Sequence, residues 1–321
     1  MNITVIGCGR WGSLITWYLD HIGHRVTLYG RAASPRMQAF LTTRQNDLLT
    51  LPESVALSTA LDAALESAET VIISIGSQSL RSLLGQSELQ ALRNRTVVLC
   101  MKGLEMGTGA RLSQIATELL HPSNTVAVWL GPGHVQEFYR GIPNCMVIDS
   151  ENEDVKRRLV QAFSSDLIRF YYGGDMIGNE VGAAAKNVVG IAAGFLDGFE
   201  MSSLKGALMS RGTREVARLI KAMGGSELSA YGLCHLGDYE ATVFSPYSHN
   251  RQFGESFVRG QDYHQLAEGY YTVKALMLLG QRYGVELPIC KAVHDILYEQ
   301  AVPRDVLAGL LRRGLTEEFY D

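Results

Sequence analysis

The chain opens with Ile3-Thr4-Val5-Ile6-Gly7-Cys8-Gly9-Arg10-Trp11-Gly12, in which a short apolar run enters a Gly-x-Gly-x-x-Gly turn. A helical pattern follows from Leu14 to Leu19. This order of strand, glycine turn and helix is the context that a dinucleotide-binding fingerprint requires. Gly7 permits the tight turn, Gly9 lets the backbone approach a pyrophosphate, and Gly12 lets the helix pack on the strand. We therefore predict a dinucleotide site at this helix N-terminus, where free N–H groups and partial positive charge favour phosphates.

The end of the second predicted strand, Arg25–Tyr29, bears on the choice of cofactor. An enzyme that prefers NAD usually has an acidic residue there to bind the ribose 2′-OH. Here Tyr29 is followed by Gly30 and Arg31, with no acidic residue before Asp47. Because an arginine at this place suits a 2′-phosphate, Arg31 favours NADP over NAD, although it could also be an ordinary charged loop residue.

Composition excludes several classes of protein. The 321 residues allow two domains, and a formal net charge of −4 argues against a nucleic-acid surface. The five cysteines are scattered without a Cys-x-x-Cys pair, which predicts reduced thiols, a cytoplasmic location and no metal site. We expect no signal peptide and no membrane span, since the most apolar stretch, Val188 to Leu196, is too short to cross a bilayer.

The two halves of the chain have different patterns. Near-continuous β-branched runs alternate with helical patterns in the first half, which predicts a parallel sheet covered on both faces. The predicted strands after Tyr29 are 70–75, 96–100, 125–129, 144–148 and 168–172, and the predicted helices between them include 54–68, 80–92 and 109–120. From Asp175 onward apolar residues recur at helical spacing almost to the end. We predict a Rossmann-type α/β domain over 1–173 and an all-α domain over 174–321.

One helix of the second half carries an unusual stripe. Glycines recur at every fourth position from Gly182 to Gly198, except that Lys186 takes one of these places. Each glycine costs about 1 kcal/mol relative to alanine, so something must approach this face closely. Lys186 is either a lysine that snorkels to the surface beside packed helices, or a desolvated lysine that polarises a carbonyl and exchanges a proton.

Other polar residues fall where a ligand could meet them. Lys102 and the run Gly131-Pro132-Gly133 each follow a predicted strand, and ligands of open α/β sheets lie outside the carboxyl ends of strands. Asp238 and the run Ser248-His249-Asn250-Arg251 lie in loop-like segments of the second half. The alternative interpretations are a loop lysine, a helix cap at Asp238 and a surface turn at 248–251.

Taken in order, these segments resemble the bacterial NAD(P)-dependent glycerol-3-phosphate dehydrogenases over nearly the whole chain. The similarity is carried by the glycine turn, Lys102-Gly103-Leu104-Glu105, Gly131-Pro132, Lys186-Asn187-Val188, Ser210-Arg211-Gly212, Leu236-Gly237-Asp238, Asn250-Arg251, Glu268-Gly269-Tyr270 and Leu287-Pro288-Ile289. The resemblance implies an architecture like that of 6-phosphogluconate dehydrogenase. It also implies reversible hydride transfer between NAD(P)H and dihydroxyacetone phosphate, which gives sn-glycerol 3-phosphate for phospholipid synthesis, and a possible homodimer.

The resemblance also implies roles for individual residues. Lys186, Lys102 and Asp238 correspond to the catalytic residues, and Lys186 to the proton donor and acceptor. The implied cofactor contacts are Gly7, Gly9, Arg10, Trp11, Gly12, Arg31, Lys102, Val135, His249 and Glu268. The implied substrate contacts are Lys102, Gly131, Gly133, Lys186, Asp238, Ser248, His249 and Asn250.

The chain departs from the family pattern around the phosphate end of the substrate. His249 stands where the family has an arginine, and histidine provides neither a bidentate fork nor a full charge at pH 7. Gly133 replaces a residue with a hydroxyl, which removes one substrate hydrogen bond. Two alternatives therefore stay open: a related reductase of another hydroxy or keto acid or hydroxy phosphate, and a non-catalytic dinucleotide-binding sensor.

Overall fold

The computed structural model describes residues 1–312, 317 and 318. The chain divides into two compact units. The first comprises Met1–Met101 and Leu112–Met176, and the second comprises Lys102–Arg111 and the residues from Ile177 onward. The segment Lys102–Arg111 thus belongs with the second unit, although it lies between strands of the first in the sequence. The domains 1–173 and 174–321 stay a prediction. Among the described residues, no helix is long and apolar enough to cross a membrane.

The first unit is built on a single large sheet. Its strands are β1 (Asn2–Ile6), β2 (Arg25–Tyr29), β3 (Ala56–Ser58), β4 (Thr70–Ile73), β5 (Thr96–Leu99), β6 (Thr125–Leu130), β7 (Asn144–Asp149) and β8 (Ile168–Tyr172). Within the described part of the chain their order across the sheet is β3-β2-β1-β4-β5-β6-β7-β8. Every residue of the central strands β4 and β5 is buried, because helices cover both faces, and this explains their continuous apolar runs.

Two expectations about this sheet need correction. First, β7 runs antiparallel to β6, since the connection between them contains only the short helix at Val135–Tyr139 and reverses the chain instead of crossing over. Second, the helix predicted over 54–68 is wrong in its first part, where β3 pairs with β2 at the edge of the sheet. Pairing of Leu57 with Leu28 overrides the local helical pattern. The Rossmann-type α/β architecture itself is confirmed.

Helices complete both units. Those of the first are α1 (Arg10–His21), α2 (Pro35–Thr43), α3 (Leu61–Leu65), α4 (Leu80–Leu84), α5 (Ser87–Gln90), α6 (Leu112–Leu119), α7 (Val135–Tyr139) and α8 (Glu153–Phe163). Those of the second are α9 (Met176–Gly198), α10 (Lys205–Ala222), α11 (His249–Val258), α12 (Glu268–Tyr283), α13 (Pro288–Tyr298) and α14 (Pro303–Leu311). The prediction of a helical second half is confirmed, since residues 177–312 contain helices and no strand.

The long helix α9 is the centre of the second unit, and its glycine stripe is a packing surface. A Cβ atom at Gly194 would lie 2.1 Å from the carbonyl oxygen of Arg251 on α11, and one at Gly198 would lie 2.2 Å from Val258 Cγ2. The close approach that the stripe predicts is therefore made by α11 at Gly194 and Gly198. At Gly182 and Gly190 it is made by His235 and Thr242, in the turns before α11. Between α10 and α11 the chain passes through short irregular turns, which include a 3₁₀ turn at Leu236–Asp238 and a π-helical turn at Glu240–Phe244.

Candidate functional site

The glycine turn between β1 and α1 leaves an open place at Gly9. Gly7 has φ +116°, and a Cβ atom there would lie 2.1 Å from the carbonyl oxygen of Ser74, so only glycine fits. At Gly12 a Cβ atom would lie 1.9 Å from the carbonyl oxygen of Gly7, because the helix packs directly on the turn. At Gly9, by contrast, the nearest atom to an added Cβ is Arg36 Nη1 at 3.8 Å.

The N-terminus of α1 suits a phosphate group. Gly9 is the N-cap residue and offers no side-chain acceptor to the N–H groups of the first turn, which also contains no acidic residue. An anion at this end is stabilised by the N–H groups and by the helix dipole. The residues present in the first unit therefore fit the pyrophosphate of a dinucleotide, with Arg10 and Trp11 in the first turn of the helix.

Two arginines lie in the segment after β2. Arg31 is exposed two residues beyond the end of the strand, and Arg36 is exposed in the first turn of α2. The Ser34 side chain caps α2 by accepting a hydrogen bond from Met37 N, and the same hydroxyl lies 3.5 Å from Cys8 Sγ in the glycine turn. Arg36 was not among the residues predicted to contact the cofactor, although the pair Ser34-Pro35 is a recognisable helix start and places Arg36 in the first turn.

The loop after β6 explains why residue 133 is a glycine. Gly131 and Gly133 have φ values of +124° and +141°. A Cβ atom at Gly133 would lie 2.2 Å from Cε2 of Phe138, so the aromatic ring occupies the place that a serine side chain would need. Phe138 is itself buried in the core of the first unit, as is Val135 at the start of α7. The missing hydroxyl therefore follows from local packing.

Within the second unit, the structure brings together the three residues predicted to be catalytic. Lys102 Nζ lies 2.7 Å from Asp238 Oδ2, and Lys186 Nζ lies 3.0 Å from the same oxygen. Lys186 Nζ also donates a hydrogen bond to Thr242 Oγ1 at 2.6 Å. The side chain of Asp238 is only 1% exposed and that of Lys186 only 8% exposed. Two cationic groups thus converge on one buried carboxylate oxygen.

Burial sets the protonation behaviour of this centre. Loss of hydration lowers the pKa of Lys186 to about 8, the nearby Asp238 carboxylate opposes that shift, and Lys102 adds to it. Lys186 therefore does not snorkel to the surface; it is a desolvated lysine with a lowered pKa. The other oxygen of the carboxylate, Asp238 Oδ1, is buried and has no hydrogen-bond partner among the described residues. A buried acceptor without a donor is costly, and a ligand hydroxyl would satisfy it.

An amide chain connects this centre with α11 and α12. Asn187 Nδ2 donates to the backbone oxygen of Lys102 at 2.8 Å, and Asn250 Nδ2 donates to Asn187 Oδ1 at 3.0 Å. The backbone N–H of Gly269 then donates to Asn250 Oδ1 at 2.9 Å, directly after Glu268 at the start of α12. The predicted substrate residue Asn250 is thus part of a network that fixes the backbone at Lys102.

The remaining residues of segment 248–251 have structural partners. Ser248 Oγ caps α11 by accepting a hydrogen bond from Arg251 N at 3.3 Å, and His249 Nδ1 lies 2.6 Å from the Tyr263 hydroxyl. Arg251 Nη1 pairs with Asp197 at 2.8 Å and with Glu255 at 2.9 Å. The contacts with Tyr263 and Asp197 were not expected from the sequence, because Tyr263 lies beyond α11 and Asp197 lies on α9. The Ser248 cap and the pairing of Arg251 with Glu255 are local to α11.

Known proteins match both units. The family descriptions "NAD-dependent glycerol-3-phosphate dehydrogenase N-terminus" and "C-terminus" match residues 2–156 and 175–308. The glycerol-3-phosphate dehydrogenase (NAD(P)+) of Thermoanaerobacter sp. (strain X514) is 32% identical over 100% of this chain and 99% of its own length. The corresponding protein of Nitrosomonas europaea is 35% identical, with 98% of each chain covered. A crystal structure of glycerol-3-phosphate dehydrogenase from Coxiella burnetii is 27% identical, with a TM-score of 0.89 over 97% of this chain and 99% of that one.

Proposed function

The chain belongs to the NAD-dependent glycerol-3-phosphate dehydrogenase family, and we propose on this premise that it interconverts dihydroxyacetone phosphate and sn-glycerol 3-phosphate with NAD(P). The observation that carries this proposal is the convergence of Lys102 and Lys186 on Asp238. A protein that only bound a dinucleotide would have no use for two buried or half-buried ammonium groups around one carboxylate. The product of the reduction is a precursor of phospholipids, and supply of that precursor is the physiological role that we propose.

The lysines provide what reduction of a ketone demands from the protein. The nicotinamide, when bound, supplies the hydride. Lys186, protonated below its pKa of about 8, donates the proton that the developing alkoxide requires, and it takes the proton back in the reverse direction. Lys102 adds positive charge beside the same carboxylate and stabilises the developing negative charge on the oxygen.

Asp238 has two tasks in this scheme. Its Oδ2 atom accepts from Lys186, which keeps the ammonium form accessible in spite of burial. Its Oδ1 atom is the buried acceptor without a partner among residues 1–312, 317 and 318, and it suits a hydroxyl group of a polyol substrate. Both tasks favour a small hydroxylated ketone over an apolar one.

For the cofactor, we propose a preference for NADP over NAD. The support is the pair of exposed arginines, Arg31 and Arg36, together with the lack of an acidic residue at the end of β2. An Arg31→Ala/Arg36→Ala double variant should raise KM for NADPH and leave KM for NADH nearly unchanged. Equal rises with both cofactors would contradict the preference. The other assigned cofactor and substrate contacts, the homodimer and the cytoplasmic location remain predictions.

The decisive experiment is the oxidation of NADH or NADPH, followed at 340 nm, with dihydroxyacetone phosphate as the second substrate. Turnover that is abolished in Lys186→Ala, while cofactor binding measured by nicotinamide fluorescence persists, would establish the proposal. Cofactor binding without turnover on dihydroxyacetone phosphate would refute it.

A second candidate is a related reductase acting on an unphosphorylated hydroxy or keto acid. The observation in its favour is that both basic side chains at the start of α11 are engaged, His249 with Tyr263 and Arg251 with Asp197 and Glu255. Comparing kcat/KM for dihydroxyacetone phosphate with that for 2-keto acids separates the two candidates. A higher value for a keto acid would favour the second.

A further inference from the structure

Two buried residues on either side of Asp238 have no part in the scheme above. His235 lies three positions before Asp238 and Tyr239 directly follows it, and both are fully buried. They belong to the irregular stretch in which a 3₁₀ turn at Leu236–Asp238 is followed by a π-helical turn at Glu240–Phe244. The backbone of such a stretch lacks the regular i to i−4 hydrogen bonds of an α-helix, so the backbone alone fixes the position of Asp238 less firmly.

The hydrogen bonds of His235 fix its tautomer. Nδ1 lies 2.8 Å from the carbonyl oxygen of Gly182, which only accepts, so Nδ1 carries the proton. Nε2 lies 2.7 Å from the Tyr239 hydroxyl and therefore accepts a hydrogen bond from it. Burial lowers the pKa of His235 to about 4 and raises the pKa of Tyr239, so both side chains are neutral around pH 7.

This pair ties the turn of Asp238 to the helix that carries Lys186. Gly182 lies one helical turn before Lys186 on the same face of α9. The contact is tight, since a Cβ atom at Gly182 would lie 3.0 Å from His235 Cβ. The backbone of His235 takes part as well, because its carbonyl oxygen accepts from Asp238 N at 3.0 Å. The imidazole of His235 thus connects the backbone of α9 with the Tyr239 hydroxyl. Because His235 and Tyr239 flank the turn at Leu236–Asp238, both ends of that turn are connected with α9.

We propose that His235 and Tyr239 are positioning residues, whose side chains hold Asp238 at hydrogen-bonding distance from Lys186. The consequence for turnover rests on the proposed function, whereas the geometry does not. Without the pair, Asp238 is free to move on its irregular turn, and a displacement of about 1 Å near a reacting group costs up to about a hundredfold in rate. Neither residue touches the reacting atoms.

The proposal is tested with Tyr239→Phe, which removes only the hydroxyl, and with His235→Leu, which removes both hydrogen bonds. Tyr18→Phe is the matched control, because Tyr18 is also fully buried, donates its hydroxyl to the backbone oxygen of Phe163, and lies in the first unit. His235→Asn retains a donor at the place of Nδ1 and should restore part of the activity. Thermal unfolding of every variant is measured first.

We expect Tyr239→Phe to lower kcat about tenfold, since a buried acceptor loses its donor, while KM for NAD(P)H stays unchanged. The alkaline limb of the kcat profile for reduction should also move to lower pH. The charged and titratable groups around Lys186 are Asp238, Lys102, Cys234 and His235. Asp238 raises the pKa of Lys186, so a less firmly held Asp238 should lower that pKa. Tyr18→Phe should leave both kcat and the limb as they are.

A measurement that does not need turnover keeps the test independent of the proposed function. In protein labelled with ¹³C at the lysine ε-carbon, the resonance lost in Lys186→Ala identifies Lys186, and its titration gives the pKa directly. A lower Lys186 pKa in Tyr239→Phe and His235→Leu supports the proposal even if dihydroxyacetone phosphate is not the substrate. An unchanged pKa, or a loss of kcat with an unchanged alkaline limb, would overturn it and reduce the pair to a part of the core.

Discussion

The Lys186–Asp238 centre and the start of α11 contain similar residue types, yet their contacts differ in kind. In the centre, two ammonium groups share one carboxylate oxygen while the other oxygen has no partner among the described residues. At the start of α11, the serine caps the helix and Arg251 is satisfied by two carboxylates. The first arrangement leaves a buried acceptor that a ligand hydroxyl would satisfy, whereas in the second the serine and the arginine already have protein partners.

Polar residue types and their positions in the sequence therefore do not distinguish a ligand site from a structural contact between helices. Placing Lys186 beside Lys102 with a single buried carboxylate between them costs desolvation and charge repulsion, which burying apolar residues would avoid. Arg251, in contrast, neutralises Asp197 at the point where α11 packs on α9, and this has a purely structural use. We therefore expect function to respond to the first region and stability to the second.

The largest effect should come from Lys186→Ala. Removal of the proposed proton donor should lower kcat by about two to four orders of magnitude, the range of general acid catalysis, with little change in cofactor affinity. The fold should survive, because Asp238 still pairs with Lys102. Lys205→Ala is a matched control, since Lys205 is an equally buried lysine paired with Asp197 on the structural side. Equal losses of kcat in the two variants would remove the distinction between the regions.

The second-largest effect should be the pH dependence of kcat, which should have opposite signs for reduction of the ketone and oxidation of the alcohol. With Lys186 as the proposed proton donor, reduction requires its protonated form, so kcat for reduction should fall about tenfold per pH unit above about pH 8. Oxidation of the alcohol requires the neutral amine, so its kcat should rise with pH and level off above about 8. Steady-state rates between pH 6 and 10 in both directions measure this. If kcat changed with pH in the same way in both directions, the change near pH 8 would belong to a group other than the proton donor.

Much of this architecture could be read from the sequence, and the reasons are local. The glycine turn, the buried β-branched strands and the long apolar helices have periodicities of their own, so the fold class followed from pattern alone. The short edge strand β3 has no such periodicity, because it forms only through its pairing with β2. The antiparallel β7 likewise depends on a connection whose one-turn helix has no distinctive pattern.

The site was predicted less completely for the same reason. Lys186 is visible as a charged residue within an apolar helix, Lys102 follows a predicted strand and Asp238 lies in a loop-like segment, while their catalytic roles came from the resemblance. Thr242 and the His235–Tyr239 pair act from turns of 3₁₀ and π geometry, whose hydrogen bonds follow no repeating spacing. Tyr263, which holds His249, is separated from it by the whole of α11.

The structural role of the start of α11 is tested by Arg251→Ala. Its loss leaves Asp197 with Lys205 as its remaining cationic partner and removes a bond to the carbonyl of Ser245. We expect the free energy of unfolding to fall by about 2 kcal/mol, as for loss of a hydrogen bond to a charged group. KM for dihydroxyacetone phosphate should change little. Urea unfolding and steady-state kinetics measure the two quantities, and a large rise in KM with unchanged stability would make Arg251 a substrate residue after all.

The smallest effect should come from His249→Arg. This substitution tests whether the start of α11 can bind the phosphate of the substrate. If the phosphate of the substrate lies near this helix N-terminus, an arginine fork should lower KM for dihydroxyacetone phosphate about three- to tenfold, through added charge-assisted hydrogen bonds. KM for unphosphorylated dihydroxyacetone should stay unchanged. Tyr263→Phe controls for the lost contact with the tyrosine hydroxyl. An unchanged or higher KM would mean that the phosphate is bound elsewhere or that the substrate has none, and the start of α11 would then be structural throughout.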